Sequence, residues 1–237
     1  ETVSTSWFRA AVRPALLPQV APTQRQGDTL QLNVFEWVDD AGNHFPEVYG
    51  LAPYPGDTIT TRIYQDGQQV AEATVPRDNF PMAPEAAEYR IELDVTRQAD
   101  WWRTSTATRT VWTFSSAQAV SGPELLPLLS TDYDLAVDLT NTAPHPRDRK
   151  GPPTMYLQVS QQSLDLPEVT QAQVWISYDD GATWTPRPTW HRQDGRFEVR
   201  LDSRGANGTT GYASIRVEAT GADGNRIEQE IIRAWRL

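Results

Sequence analysis

Histidine is the side chain that most readily supplies acid–base or metal chemistry near neutral pH, and the 237-residue chain contains 3 of them. His44, His145 and His191 all lie in polar, turn-rich stretches. None has a serine or cysteine at a spacing typical of a nucleophile–base pair. No H-x-x-x-H or H-E-x-x-H pattern indicates a metal enzyme. We therefore interpret them as surface residues and expect no catalytic residue and no catalysis.

A second group of hydroxyl and carboxylate side chains lies between residues 177 and 184. The run Ser-Tyr-Asp-Asp-Gly-Ala-Thr-Trp matches the S-x-D-x-G-x-T-W pattern, called an Asp-box, at every fixed position. The aspartate of this motif is expected to cap the amides of a tight turn, and its glycine to take a positive φ angle. The Thr-Trp pair then re-enters the sheet, with the indole covering the turn. The residues expected to hold this hairpin, rather than to touch a substrate, are Ser177, Asp179, Gly181, Thr183 and Trp184.

Tryptophan, which occurs 9 times, offers a binding surface instead of a reaction. Trp101 and Trp102 are adjacent, and adjacent side chains of an extended segment point to opposite faces, so at most one enters the core. An outward indole could stack on a sugar or pack on another folded domain, or it could lie against the neighbouring sandwich. The same alternatives apply to Trp190, which lies near Arg192. These three tryptophans are the candidates for a docking or ligand surface.

Two oxygen-rich turns are candidates for calcium. One contains Asp39, Asp40 and Asn43, and the other contains Asp223 and Asn225. Calcium takes about six to eight oxygen ligands from a defined array, and neither turn matches the D-x-[DN]-x-[DN]-G loop pattern. Hairpin chemistry explains both turns better. We therefore expect no cofactor and keep calcium as the alternative.

The composition is that of a soluble globular protein, with 38% hydrophobic and 22% charged residues. The net charge of −10 argues against a nucleic-acid partner, because phosphate binding needs clustered lysine and arginine. No apolar run is long enough to span a bilayer, so no membrane partner is expected. The absence of cysteine excludes disulfides, thiol nucleophiles and zinc–thiolate sites.

Alternation of apolar and polar residues predicts β-strands along almost the whole chain. Residues 89–95 alternate as expected for a strand with one buried and one wet face. Asp-Gly turns separate several such runs, as at Asp66-Gly67 and Asp194-Gly195. No stretch carries a sustained helical period. The same alternation recurs at 59–63, 133–139, 155–159, 172–176, 197–201 and 215–219. The predicted fold class is therefore all-β.

The chain is predicted to divide into two tandem β-sandwich domains. Residues 1–118 form the first, for which a jelly-roll-like arrangement is expected, and residues 119–130 form a flexible linker. Residues 131–237 offer about seven short strands, the count of an immunoglobulin/fibronectin-III-like sandwich that here carries a single Asp-box hairpin. Tyr212, at a strand entry, suits a tyrosine corner, whose hydroxyl bonds back to an upstream backbone group. The halves show no duplication beyond shared turn chemistry.

Several segments carry a resemblance to a known family. They are 62–67, 89–97, 112–116, 126–129, 132–135, 174–184, 211–219 and 232–237. They are spread over most of the chain and resemble the C-terminal, non-catalytic β-sandwich region of secreted subtilisin-like serine peptidases of actinobacterial type. The catalytic motifs of those peptidases, D-[ST]-G, H-G-T-H and G-T-S-M-A, are all missing here. The resemblance implies an extracellular setting, with the catalytic domain of the same polypeptide as partner.

Three hypotheses about function follow. The first is an accessory region that stabilises, docks on or positions substrate for a secreted subtilisin-like peptidase. The alternative is an independent carbohydrate- or surface-binding β module, whose partner is a protein or polysaccharide polymer and whose platform is an exposed tryptophan. The third, an enzyme of unrecognised type, has no constellation of residues to support it.

Overall fold

The computed structural model describes residues 10–39, 56–99, 101–145, 153–163, 166–201 and 209–237. Every regular element within these ranges is a β-strand in an antiparallel sheet, so the all-β prediction is confirmed. No helix in the described ranges is long and apolar enough to cross a bilayer. The strands are β1 (Arg13–Ala15), β2 (Gln24–Gly27), β3 (Thr29–Asn33), β4 (Phe35–Val38), β5 (Asp57–Gln65), β6 (Gln68–Ala73), β7 (Arg77–Pro81), β8 (Ala87–Arg97), β9 (Ala107–Ser116), β10 (Ala119–Leu125), β11 (Leu129–Asp134), β12 (Thr154–Gln161), β13 (Gln171–Ser177), β14 (Thr185–Arg187), β15 (Thr189–His191), β16 (Arg196–Arg200), β17 (Tyr212–Thr220) and β18 (Arg226–Arg236).

Strands β11 to β18, the second half, form a sandwich. One sheet has the order β11-β12-β16-β15, and the facing strands have the order β14-β13-β17-β18. Lettered along the chain as A, B, C, C′, D, E, F and G, these orders are A-B-E-D and C′-C-F-G, those of an immunoglobulin-like sandwich. Alternate side chains from both layers, such as Phe197 and Val217, are buried in the core between them.

Strands β1 to β10, the first half, repeat this order. Strands β2, β3 and β7 take the A, B and E places, and β6-β5-β8-β9 take the C′-C-F-G places. Strand β10 lies beside β2, and β1 pairs separately with β4. The expected jelly-roll-like arrangement is therefore replaced by an immunoglobulin-like order. Seven strands of each half thus occupy corresponding places, which their sequences did not indicate.

The two G-type strands, β9 and β18, pair with each other, and we call this pair the seam. Its register runs from Thr113 opposite Arg226 to Ala107 opposite Ile232. The seam joins both C′-C-F-G sheets into one sheet of eight strands, and a single buried cluster draws side chains from both halves. The boundaries 1–118 and 131–237 stay a prediction, because sheet and core continue across them.

The segment 119–130 is held in place, which differs from the flexible linker expected. Strand β10 pairs with β2, and the following leucines 126, 128 and 129 are buried. Side chains from both halves donate hydrogen bonds to its carbonyl groups. Gln162 Nε2 donates to Leu126 O at 3.0 Å, and Trp112 Nε1 donates to Leu129 O at 2.8 Å. Releasing the segment would therefore break two buried hydrogen bonds.

Candidate functional site

The hairpin between β13 and β14 is held by side-chain hydrogen bonds. The Asp179 carboxylate accepts from the Ser177 hydroxyl at 2.7 Å, from the Thr183 amide at 2.8 Å and from the Thr183 hydroxyl at 2.6 Å. Ser177 Oγ in turn accepts from the Gly181 amide at 2.8 Å. These bonds favour the ionised carboxylate and lower the pKa of Asp179 to about 2. Ser177 and Thr183, which donate these bonds to Asp179, belong to its own turn.

The top of this turn contacts the end of β18. Gly181 has a φ of 89°, and a Cβ there would lie 2.9 Å from Ile232 Cδ1 and 3.4 Å from the Trp184 ring. The indole therefore lies against the turn. Asp180 accepts two hydrogen bonds from the Arg233 guanidinium, at 3.0 and 2.7 Å, which lower the pKa of that carboxyl. The hairpin is thus tied to the seam.

Tyr212 begins β17, the F-type strand, at the place of a tyrosine corner. Its ring lies under two guanidinium groups, those of Arg233 at 5.0 Å and Arg236 at 5.9 Å. Within the described part of the chain, no hydrogen bond joins its hydroxyl to an upstream backbone group. The ring's cation contacts, rather than a hydroxyl bond, position Tyr212 here.

The loop between β8 and β9 separates its two tryptophans. Trp101 is 67% exposed, whereas Trp102 packs against the core, and their rings meet edge to face at 5.6 Å. The Arg97 guanidinium lies 4.2 Å from the ring centroids of both Trp102 and Trp37. Asp57 accepts from Arg97 at 3.0 and 3.1 Å and from Trp37 Nε1 at 2.6 Å. A buried ion pair between aromatic rings therefore fixes the base of the loop and leaves Trp101 in solvent.

Trp190 lies on the solvent side of the sheet β11-β12-β16-β15. Residues directly opposite each other on neighbouring strands share a face. Asp134 pairs with Tyr156, Tyr156 with Glu198, and Glu198 with Trp190, so one row crosses all four strands. We call this the outer face, made of Asp132, Asp134, Tyr156, Gln158, Trp190, Arg196, Glu198 and Arg200.

A shallow cavity of about 200 Å³ opens on the outer face, lined by Asp132, Tyr133, Asp134, Tyr156, Gln158 and Arg196. Arg196 reaches across it, with its guanidinium 4.1 Å from the Tyr156 ring centroid and 3.2 Å from Asp134 Oδ2. Of the residues on this face, only Trp190 was predicted from the sequence as a candidate for a ligand surface. The sequence signal for the rest of the face was the alternation in β12, where the half-buried Tyr156 and Gln158 alternate with buried residues.

The calcium candidates are only partly described. Asp40 and Asn43 lie outside the described residues. Asp39 is buried, and its carbonyl accepts from Arg13 Nη1 at 2.7 Å. Asn225 is turned inward and donates to Pro127 O at 2.5 Å, while Asp223 is exposed. In the described ranges no three His, Cys, Asp or Glu side chains are grouped to hold a metal.

In the described part of the chain, no hydrogen bond joins His191 to a serine or threonine hydroxyl that could act as a nucleophile. His191 Nε2 lies 3.6 Å from Glu168 Oε2, and its ring is tilted against Phe197 at 5.3 Å. His44 lies outside the described residues. That the chain has no catalysis stays a prediction.

No protein-family model matches the chain, and no curated protein matches it. Among solved structures, it is similar to Drosophila OTK, extracellular domains 3–5, at 8% sequence identity and a TM-score of 0.19. That match covers 97% of this chain and 100% of the other. A similarity this low supports no conclusion about function.

Proposed function

We propose that this chain is a non-catalytic accessory region of a secreted subtilisin-like serine peptidase, and that it packs on the catalytic domain of the same polypeptide. The family resemblance supplies the partner and the extracellular setting. The observation that carries the proposal is the exposed indole of Trp101 on an anchored loop. Aromatic side chains, tryptophan among them, are enriched at the surfaces through which proteins contact one another.

The loop that carries Trp101 is held from two sides. The Arg97–Asp57 pair fixes its β8 end through Trp102, as described above. At its β9 end, the Ser105 amide donates to Arg233 O at 2.8 Å, and the Thr106 amide donates to Ile232 O at 3.1 Å. Because the loop is anchored on β18, little conformational entropy is lost when Trp101 meets a partner.

The first test is the reading frame that encodes this chain. The proposal requires a subtilisin-like domain encoded upstream, and its absence would overturn the proposal.

The second test changes Trp101→Ala in the full-length peptidase, with Trp190→Ala as the matched control on the other half. Loss of an interface tryptophan costs more than about 1 kcal/mol at a hot spot, so we expect heat inactivation to be about fivefold faster. Activity on a small peptide substrate, per folded molecule, should stay unchanged, and the control should behave as wild type. Unchanged heat inactivation in the Trp101 variant contradicts docking.

A second candidate function, an independent carbohydrate- or surface-binding β module, is favoured by Trp190. This indole is 41% exposed on the regular outer face and shares its row with a second aromatic ring, that of Tyr156. The two functions are separable, because they use tryptophans on different halves of the molecule.

A further inference from the structure

We propose that the outer face binds a neutral polysaccharide, as an extended glycan lying across the strands over Tyr156 and Trp190. This inference rests on the second candidate function and names its site and ligand class. It is independent of docking through Trp101.

The two aromatic rings are arranged for a ligand that extends across the sheet. Tyr156 on β12 and Trp190 on β15 both pair with Glu198 on β16, which lies between them. Strands in a sheet are about 4.8 Å apart, so the two side chains leave the sheet about 10 Å from each other on one face. A chain of sugar rings presents apolar C–H faces at intervals, and each ring can stack on one aromatic side chain.

The polar groups beside the rings suit hydroxyl groups, which both donate and accept hydrogen bonds. Asp132 and Asp134 offer acceptors at the cavity, Arg196 offers donors, and the Gln158 amide offers both. A binding site that combines aromatic stacking surfaces with a few polar groups of both kinds is typical of small-molecule recognition.

The charge of the outer face favours a neutral ligand over a charged one. Its carboxylates are matched by arginines of the same chain: Asp132 pairs with Arg13, Asp134 with Arg196 at 3.2 Å, and Glu198 with Arg192 at 3.0 Å. Although the whole chain has a net charge of −10, this face has little net charge with which to attract a cationic peptide or a nucleic acid.

The arginines over the rings do not block the face. Arg196 lies over Tyr156, and Arg200 lies over Trp190 with its guanidinium 5.6 Å from the ring centroid. Both are exposed, and exposed cation contacts of this kind are weak. A sugar ring replaces the guanidinium on the aromatic face, and the guanidinium then donates to the sugar hydroxyls.

The experiment is affinity electrophoresis of the whole chain in gels that contain glucomannan, arabinoxylan or dextran. Poly-lysine and heparin serve as charged competitors. We expect at least one neutral polysaccharide to retard the wild-type chain. Trp190→Ala and Tyr156→Ala should each weaken that binding about tenfold, which is the loss of about 1.4 kcal/mol of stacking. Tyr156→Phe, which keeps the ring, should bind within about twofold of wild type.

Trp101→Ala is the matched control, because it removes an exposed tryptophan from the loop between β8 and β9 in the other half, and it should bind as wild type. Circular dichroism and thermal melts confirm that each variant is folded. The proposal is overturned if no neutral polysaccharide retards the wild-type chain, if both ring-deleted variants bind normally, or if poly-lysine or heparin displaces the glycan from the face. Each of these outcomes leaves the peptidase test of Trp101 unaffected, so failure of either proposal can be told from failure of the other.

Discussion

The C–C′ hairpins of the two halves contain the same turn built in two ways. The first half has Tyr64-Gln65-Asp66-Gly67, and the second has Tyr178-Asp179-Asp180-Gly181. Asp66 and Gly67 have φ angles of 48° and 80°, and Asp180 and Gly181 have 56° and 89°. The central aspartate also makes an equivalent contact: Asp66 Oδ1 accepts from the Glu88 amide at 3.1 Å, and Asp180 Oδ1 accepts from the Thr210 hydroxyl at 3.0 Å. Both bonds tie the turn to the segment at the start of the F-type strand.

The difference between the hairpins lies in how far their strands pair. In the first half, strand pairing continues to Gln65 opposite Gln68, directly at the turn. In the second half it stops at Ile176 opposite Thr185, so eight residues have no ladder bonds between β13 and β14. The side chains of Ser177, Asp179 and Thr183 supply hydrogen bonds there instead. We infer that the motif compensates for an open hairpin, and a hairpin that pairs fully does not need it.

The largest expected effect tests whether the halves are one unit. Gln229, buried in the seam, donates to Thr110 and to Pro14 O, and accepts from Thr131 at 2.7 Å and from Tyr133 at 3.0 Å. Gln229→Leu leaves several of these groups buried without a partner and should lower the free energy of unfolding by about 3 kcal/mol. Urea unfolding followed by circular dichroism should show one transition at lower urea.

The control for the seam is Glu228→Gln, the exposed neighbour on β18, which should change the free energy of unfolding by less than about 0.5 kcal/mol. If Gln229→Leu instead produces two separate transitions and shifts only one of them, the halves unfold independently, and the seam does not couple them.

A smaller effect compares the turn glycines. Both have positive φ angles, so alanine strains either turn by about 1 kcal/mol. A Cβ at Gly67 meets nothing within 4 Å, whereas one at Gly181 would lie 2.9 Å from Ile232 Cδ1, which must shift, and would touch the Trp184 ring at 3.4 Å. Gly181→Ala should therefore cost about 2 kcal/mol and Gly67→Ala about 1 kcal/mol, measured by urea unfolding. Equal losses would show that the Ile232 side chain shifts without cost.

The smallest expected effect is the response of the hairpins to acid. The pKa of Asp179 is lowered from 3.8 to about 2, so the folded hairpin favours the ionised carboxylate. Its stabilisation is complete above about pH 3.8 and is lost as the pH falls through about 2. The Thr183 amide resonance should titrate with a midpoint near pH 2 in NMR spectra, and the change should disappear in Asp179→Asn. The Gln69 amide, at the equivalent position of the first hairpin, serves as the internal reference. A Thr183 midpoint near 3.8 contradicts the hydrogen bonds described here.

The sequence by itself determined the features that depend on near neighbours. The alternation at 89–95 places a strand where β8 runs, and the Asp-Gly pair at 66–67 places a turn where β5 meets β6. The bonds among Ser177, Asp179 and Thr183 also join residues at most four positions apart. The contacts between this turn and β18 are not local in this sense. Local spacing predicts such features because backbone preferences and short side-chain bonds decide them.

Only the tertiary structure decided which strands became neighbours. Alternation shows that one face of β9 and one face of β18 are buried, but it does not show that their edges pair across the seam. For the same reason, the sequence did not predict the hydrogen bond from Gln162 to the segment 119–130. Nor did it predict that Tyr156 and Trp190 lie in one row across the sheet. Strand partners are chosen by burial and register between residues distant in sequence, so no local pattern records them.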